Sequence, residues 1–385
     1  NLSWRWVFVG EVIIALIIIA SVRLIGDAPL AGRRPKLDVV GSVLSALGLG
    51  LIVFALLQAS SWGWIQPKQS PIEPFGFALT PFVVLVGLLV LYAFVGWQRR
   101  RERLGQDPLV RLRLLEILPL RSGLNCFLSQ NLILLGVFFT LPLYLQIVLG
   151  FDALETGIRM LPISITMFVT SASGPALTGR FGAKRVVQAG FVLLVVAAFA
   201  MLGTIEPELD GVPFSIALAI LGVGMGLIAS QLGNVVQSSV ADDERGEAGG
   251  LQYTAQQLGS AMGTALIGAV VISALLAAFV DNVSTNERIS AELSDALEVS
   301  VSAGGNFVAA DEIESALLDA GVADEETAEV VEDYRDAQLE ALKTGLLLVS
   351  ILAGLSLRFT LYLPGRDPAD GDESPADVPP QALSA

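Results

Sequence analysis

A chain of 385 residues that is 53% hydrophobic and only 16% charged cannot close a water-soluble surface, where about a quarter of residues are charged, and so reads as a polytopic membrane protein. With no histidine and a single cysteine, Cys126, it has no disulfide framework, no thiolate metal cluster and no imidazole proton shuttle, so proton chemistry falls to carboxylates. The net charge of −15 is local: residues 281–341 hold 17 acidic side chains against two arginines.

The chain opens on Asn1-Leu2-Ser3-Trp4-Arg5-Trp6 directly ahead of an apolar run, without the basic, short and cleavable pattern of a signal peptide, and reads as starting partway into a longer protein. Nine apolar segments follow, at 7–24, 39–60, 77–97, 123–147, 156–177, 186–205, 213–233, 251–280 and 342–363. Runs of about 20 residues without strand alternation satisfy their backbone groups in lipid only as α-helices.

Of the 23 cations, 17 fall on alternate connections: Arg23 to Lys36, the seven arginines of 99–121, then Arg180, Lys184 and Arg185, Arg245, and finally Arg358 and Arg366. That side is expected to be cytoplasmic. On the other side, Trp62, Trp64, Pro67, Pro71 and Pro74 make an interfacial turn. The acidic stretch has apolar residues at helical spacing over 311–320 and 324–342, each opened by an Asp suited to an N-cap, which predicts one or two external helices on the mouth of the bundle. The tail after Pro364 has a disordered composition.

Polar residues at depth carry the functional argument, because they are costly in lipid unless they pair or line a cavity. Glu11 lies about a turn and a half into the first segment and is the proton-coupling candidate; it could instead pair with Arg5 or reach headgroups. Glu155 and Arg159, four apart at the start of the fifth segment, are expected to share a face and pair, as a cap or an outer gate, and Arg180 is a further gating candidate. A polar stripe on the fourth segment holds Asn125, Ser129, Thr140 and Tyr144, with Gln130 beside it. Together with Gln231 and Asn234 on the seventh segment and Gln252 and Gln256 on the eighth, these residues are the candidates for a substrate cavity, the alternative being hydrogen bonds between helices. Gly222/Gly226 and Gly259/Gly263, small residues four apart, read as packing seams.

No Gly-x-x-x-x-Gly-Lys-Ser/Thr loop provides for nucleotide phosphates, and without histidine no His-based triad is possible. No cofactor, metal or enzymatic activity is expected. The Arg99 to Arg103 run sits beside a spanning helix, where topology and anionic lipid explain it better than nucleic acid.

Several stretches resemble the major facilitator superfamily, in particular its fourteen-helix drug:proton antiporter branch of the EmrB and QacA type. Ser3-Trp4-Arg5-Trp6 is similar to the start of that family's sixth helix. Leu141 to Gln146, Val148-Leu149-Gly150 and Gly157-Ile158-Arg159-Met160-Leu161-Pro162 resemble its ninth and tenth helices. Gly222 to Leu227, Gly246-Glu247-Ala248-Gly249-Gly250 and Gln257 to Gly263 resemble its twelfth and thirteenth. The resemblance implies that 1–24 is the last helix of an N-terminal half, that 25–119 carries two inserted helices, and that 120–363 is a six-helix C-terminal half containing the acidic loop 281–341, with a cytoplasmic tail at 364–385. The first five helices would be missing.

There are departures: Glu11 stands where the family commonly has Asn, Ile13 where it has Pro, and Gly179 where the cytoplasmic turn has Asp. The expected function is a multi-pass plasma-membrane transporter that exports hydrophobic or amphipathic small molecules in exchange for protons by alternating access. The alternative is a non-transporting membrane sensor that uses the same fold and its acidic outer loop.

Overall fold

Apolar runs that must satisfy their own backbone groups become long helices, and the computed structural model, which describes residues 5–22, 37–67, 70–302 and 307–364, is helical throughout with no strand among them. The chain forms two units, residues 1–38 and 39–385. The first holds α1, Arg5–Val22.

The second unit begins with a hairpin of α2 (Val39–Trp62) and α3 (Thr80–Arg103), closely packed because Gly48 and Gly87 let the two backbones approach. Six long helices follow: α4 (Leu118–Pro142), α5 (Ala153–Phe181), α6 (Ala183–Leu202), α7 (Gly211–Ser238), α8 (Arg245–Thr285) and α11 (Asp324–Thr360). Between the last two lie the short α9 (Ala291–Ser302) and α10 (Ala310–Asp319). Among the described residues, eight helices are long and apolar enough to cross a membrane. The segment expected at 7–24 corresponds to α1, whose apolar stretch, Phe8–Val22, is shorter.

Within the six-helix bundle α4 packs on α8 and α11, while α5 and α6 pack on α7; α6 against α11 and α4 against α7 join the two groups, and α2 lies on α8. The tightest seams are glycine seams. The backbone at Gly259 and Gly263 of α8 sits directly on the Leu128 and Leu132 carbonyls of α4, and Gly222 and Gly226 of α7 sit on Ile163, Thr166, Met167 and Thr170 of α5. A Cβ at Gly226 would lie 2.6 Å from the Met167 carbonyl oxygen, so only glycine permits this spacing. Thr166 fixes the same seam with a hydrogen bond from its hydroxyl to the Ala219 carbonyl at 3.0 Å. The buried core runs along these contacts through Ile133, Val137, Leu194, Leu221, Ile228, Ile267 and Leu346. Outward, Leu85, Leu88, Leu89, Ile165, Phe168 and Ile351 are exposed, an apolar belt that suits lipid and would be untenable in water.

Two expectations are corrected here. The outer helix expected at 324–342 and the crossing segment expected at 342–363 are one helix, α11. No helix-breaking residue separates them, and the charged first half buries Val330, Val331 and Tyr334, with the Tyr334 ring edge-on to Phe279 of α8 at 5.2 Å between centroids. At about 1.5 Å per residue, α8 (41 residues) and α11 (37 residues) are each far longer than a ~30 Å hydrocarbon core, so both project beyond it. The second correction is α9, an additional outer helix where a loop was expected. The tail beyond Pro364 and the cations of 23–36 lie outside the described residues.

Candidate functional site

The interior of the bundle is lined by helices with almost no charge. Residues 122–142 of α4, 160–179 of α5, the whole of α7 and 251–280 of α8 contain no Asp, Glu, Lys or Arg. What polarity they offer is neutral. On α4, Ser129 and Gln130 are buried and Asn125 is half-buried. Gln130 lies near the middle of the helix, and its Oε1 is buried without a hydrogen-bond partner. On α7, Gln231 is buried beside Ser230, and its Nε2 faces α5 at Gly174, where an added Cβ would stand 3.2 Å away. Gln252 and Gln256 of α8 are half-buried, whereas Asn234 is exposed.

Two of the expected cavity residues are engaged elsewhere. Thr140 is fully buried between α4, α8 and α11, and its hydroxyl donates to the Gly136 carbonyl of its own helix at 2.9 Å. Tyr144 is also fully buried; its hydroxyl reaches the carbonyls of Thr204 (3.3 Å) and Glu206 (2.8 Å) and so braces the α6–α7 connection. This side chain sits where α4 gives way to a π-wound turn, Leu143–Val148, closed by Gly150 at φ +70°.

The gating candidates also separate. Glu155 does not pair with Arg159: its carboxylate caps the Asp152 N–H at 3.3 Å while Asp152 accepts from the Glu155 N–H at 2.8 Å, a reciprocal capping box. Arg159 instead lies over the Phe151 ring, 4.0 Å from its centre, with a buried Nε that has no hydrogen-bond partner. Two short-range alternatives, a cap and an aromatic face, thus take the place of the expected pair. Arg180 is exposed in the last turn of α5, and Glu11 is exposed on α1.

The sequence gives no local hint of a charged clasp at the basic end. Arg111 and Arg113, in the connection ahead of α4, meet Asp243, Glu244 and Glu247 at the turn into α8. The Arg111 guanidinium stands 3.0 Å from Glu244 and 3.3 Å from Glu247, and Arg113 pairs with the same buried Glu244. In this turn, outside the apolar crossing segments, Arg113 and then Arg111 hold the Glu244 carboxyl below the usual carboxylate range.

Taken together, an uncharged polar interior, glycine seams and a charged clasp at one end describe a helical membrane bundle built around a neutral core. The family model that matches this chain is the Major Facilitator Superfamily, over residues 1–264. The chain belongs to the major facilitator superfamily. It is a multi-pass protein of the plasma membrane.

Among major facilitator proteins it is similar to a "Probable actinorhodin transporter" of Streptomyces coelicolor, 32% identical over 71% of this chain and 46% of that protein. It is also similar to the "Tetracenomycin C resistance and export protein" of Streptomyces glaucescens, 28% identical over 78% of this chain and 54% of the relative. With the "Puromycin resistance protein pur8" of Streptomyces alboniger it shares 30% identity over 73% of this chain and 53% of the relative. The chain spans about half the length of the curated relatives it matches.

Proposed function

We propose that the protein is a secondary transporter that exports hydrophobic or amphipathic small molecules in exchange for protons, of the fourteen-helix antiporter type, with its basic end in the cytoplasm. The observation that carries this reading is Gln130, a buried, unpartnered polar group at mid-depth of α4 inside an otherwise uncharged bundle. Such a group is costly in a sealed apolar core and is retained where it meets a passing ligand or water. The names of the relatives, export and resistance proteins for antibiotics, support the same direction.

In this reading Gln130, Ser129, Asn125, Gln231, Gln252 and Gln256 offer hydrogen bonds to a substrate whose apolar body rests on the surrounding aliphatic side chains. No charge in these segments selects for an ionic substrate, which fits amphipathic compounds of varied structure. Protons need a titratable carrier that the interior segments lack, and Glu11 is the carboxylate assigned that role.

The test is substrate-dependent proton flux by the protein as its host makes it, reconstituted in liposomes, with and without Glu11→Gln. Glutamine keeps size and hydrogen bonding but does not titrate. The expected result is proton-linked efflux that Glu11→Gln abolishes while substrate binding persists. Substrate binding without any flux in the parent protein would favour the sensor reading instead.

A further inference from the structure

Within the second unit α3 is an edge helix: it packs on α2 and, at its basic end, meets the short turn Leu112–Glu116. The face that carries Gly87 and Leu91 lies against Ile52 and Gly48 of α2. The opposite face is bare. Leu85, Leu89, Tyr92 and Gly96 are exposed along it, and the same stripe, stepping by three or four residues, continues into the exposed Arg99, Arg100 and Arg103. At about 1.5 Å per residue, Arg99 lies roughly 29 Å along the helix from Thr80, where a ~30 Å hydrocarbon core ends.

The charged groups around these three arginines are turned elsewhere. Arg101 donates to the Asp107 carbonyl from Nε at 3.0 Å and from Nη2 at 2.8 Å, and Glu102 accepts the Leu112 N–H at 3.0 Å. Arg111 and Arg113 belong to the clasp. Among the described residues no carboxylate stands within 4 Å of Arg99, Arg100 or Arg103. Gly96, one turn deeper in the bilayer, is followed by these arginines at i+3, i+4 and i+7, and a Cβ added there would meet nothing within 4 Å. An apolar stripe, a notch and three guanidinium groups without a carboxylate thus follow one another along a single helix face. That sequence complements acyl chain, glycerol and phosphate in the order and at the depth at which a phospholipid presents them.

We infer that this face of α3 binds one anionic phospholipid, with its phosphate among Arg99, Arg100 and Arg103, its glycerol over Gly96 and an acyl chain along Tyr92, Leu89 and Leu85. The lipid covers the side of an edge helix that α2 leaves open. The site is remote from Gln130 and stands whether or not the bundle transports.

The test uses the whole protein in phosphatidylcholine nanodiscs with a bimane on Ala93→Cys, an exposed position one turn from Gly96; Cys126 is fully buried and stays unlabelled. Quenching by dibrominated phosphatidylglycerol is compared with quenching by dibrominated phosphatidylcholine at equal mole fraction. Phosphatidylglycerol should be preferred at Ala93 about fivefold or more, and replacing Arg99, Arg100 and Arg103 together by Gln should remove that preference. A bimane on Leu85→Cys, near the other end of the stripe, should report no preference in either background, and its unchanged quenching by phosphatidylcholine shows that the variant keeps its fold. Replacing the exposed Arg121, Arg185 and Arg358 by Gln removes the same charge from the basic end and should leave the Ala93 preference intact. Equal quenching by the two lipids at Ala93, or a preference that survives loss of the three α3 arginines, would overturn the site. So would loss of the preference on replacing Arg121, Arg185 and Arg358, which marks diffuse attraction, or its displacement by millimolar inorganic phosphate, which marks a free anion as the occupant.

Discussion

Arg111 holds Glu247 at two points: its backbone N–H donates to Oε2 at 3.0 Å, and its Nε stands 3.3 Å from Oε1. The same guanidinium reaches Glu244, so the connection that enters α4 is fastened to the turn that begins α8. Glu244→Gln with Glu247→Gln should free that connection and expose Arg111 and Arg113 to trypsin, with cleavage in limited proteolysis several-fold faster than in the parent. The pH dependence has a definite sign. A carboxyl held below its ordinary value stays ionised as pH falls through the usual carboxylate range, and its contribution is lost only as pH falls through the lowered value. Spin labels across the clasp should therefore keep their separation as pH falls through the usual carboxylate range and lose it only below that range.

The glycine seams predict opposite outcomes for one chemical change. Gly259→Ala or Gly222→Ala places a methyl against a backbone carbonyl of the neighbouring helix and should destabilise the bundle by about 1–3 kcal/mol, read as a lower unfolding midpoint in detergent. Gly233→Ala and Gly250→Ala meet nothing within 4 Å and should leave the midpoint unchanged or raise it, since Ala favours helix over Gly by about 1 kcal/mol. Equal effects at all four positions would contradict the seams.

Tyr144→Phe should cost about 1–2 kcal/mol of stability, because it leaves the Thr204 and Glu206 carbonyls without the hydroxyl that reaches both. Substrate affinity should be unaffected, which distinguishes a brace from a cavity contact. An equilibrium binding titration on the detergent-purified variant measures this, and a tenfold loss of affinity would return Tyr144 to the cavity.

Orientation is tested by cysteine labelling, made clean by the burial of Cys126. Gln106→Cys, beside the arginine run, should react with a membrane-impermeant maleimide only from the cytoplasm, and Glu314→Cys on α10 only from outside. Reaction of both from the same side of intact cells would break the proposed topology.

The crossing helices were legible in the sequence because lipid imposes one backbone solution on any apolar run of that length. The Gly222/Gly226 and Gly259/Gly263 seams were legible for a related reason: small residues four apart share one face, and close backbone approach is what that face allows. Less legible was the continuity of α11, since a switch from apolar to charged composition near residue 341 looks like a boundary, although no Gly or Pro interrupts the helix between Asp324 and Lys343. The capping box was present as Asp152-Ala153-Leu154-Glu155, but the four-residue spacing of Glu155 and Arg159 drew attention to a pair that the cap and the Phe151 ring outcompete. Residue types on α4 marked a polar stripe without telling which members face inward; Thr140 and Tyr144 bond to carbonyls that only the folded chain supplies. The clasp was beyond reach because Arg111 and Glu247 are 136 positions apart and neither belongs to a local pattern.

The continuity of α11 makes its outer half a lever rigidly attached to its membrane-spanning half. At about 1.5 Å per residue, the stretch from Asp324 to Ala341 carries its tip roughly 25 Å beyond the crossing segment. On that geometry a 10° tilt of the spanning half displaces the tip by about 4 Å, and the face bearing Glu332 and Asp336 swings with it. Any tilt of the spanning half would therefore reappear at the outer end, since no Gly or Pro separates the two between Asp324 and Lys343.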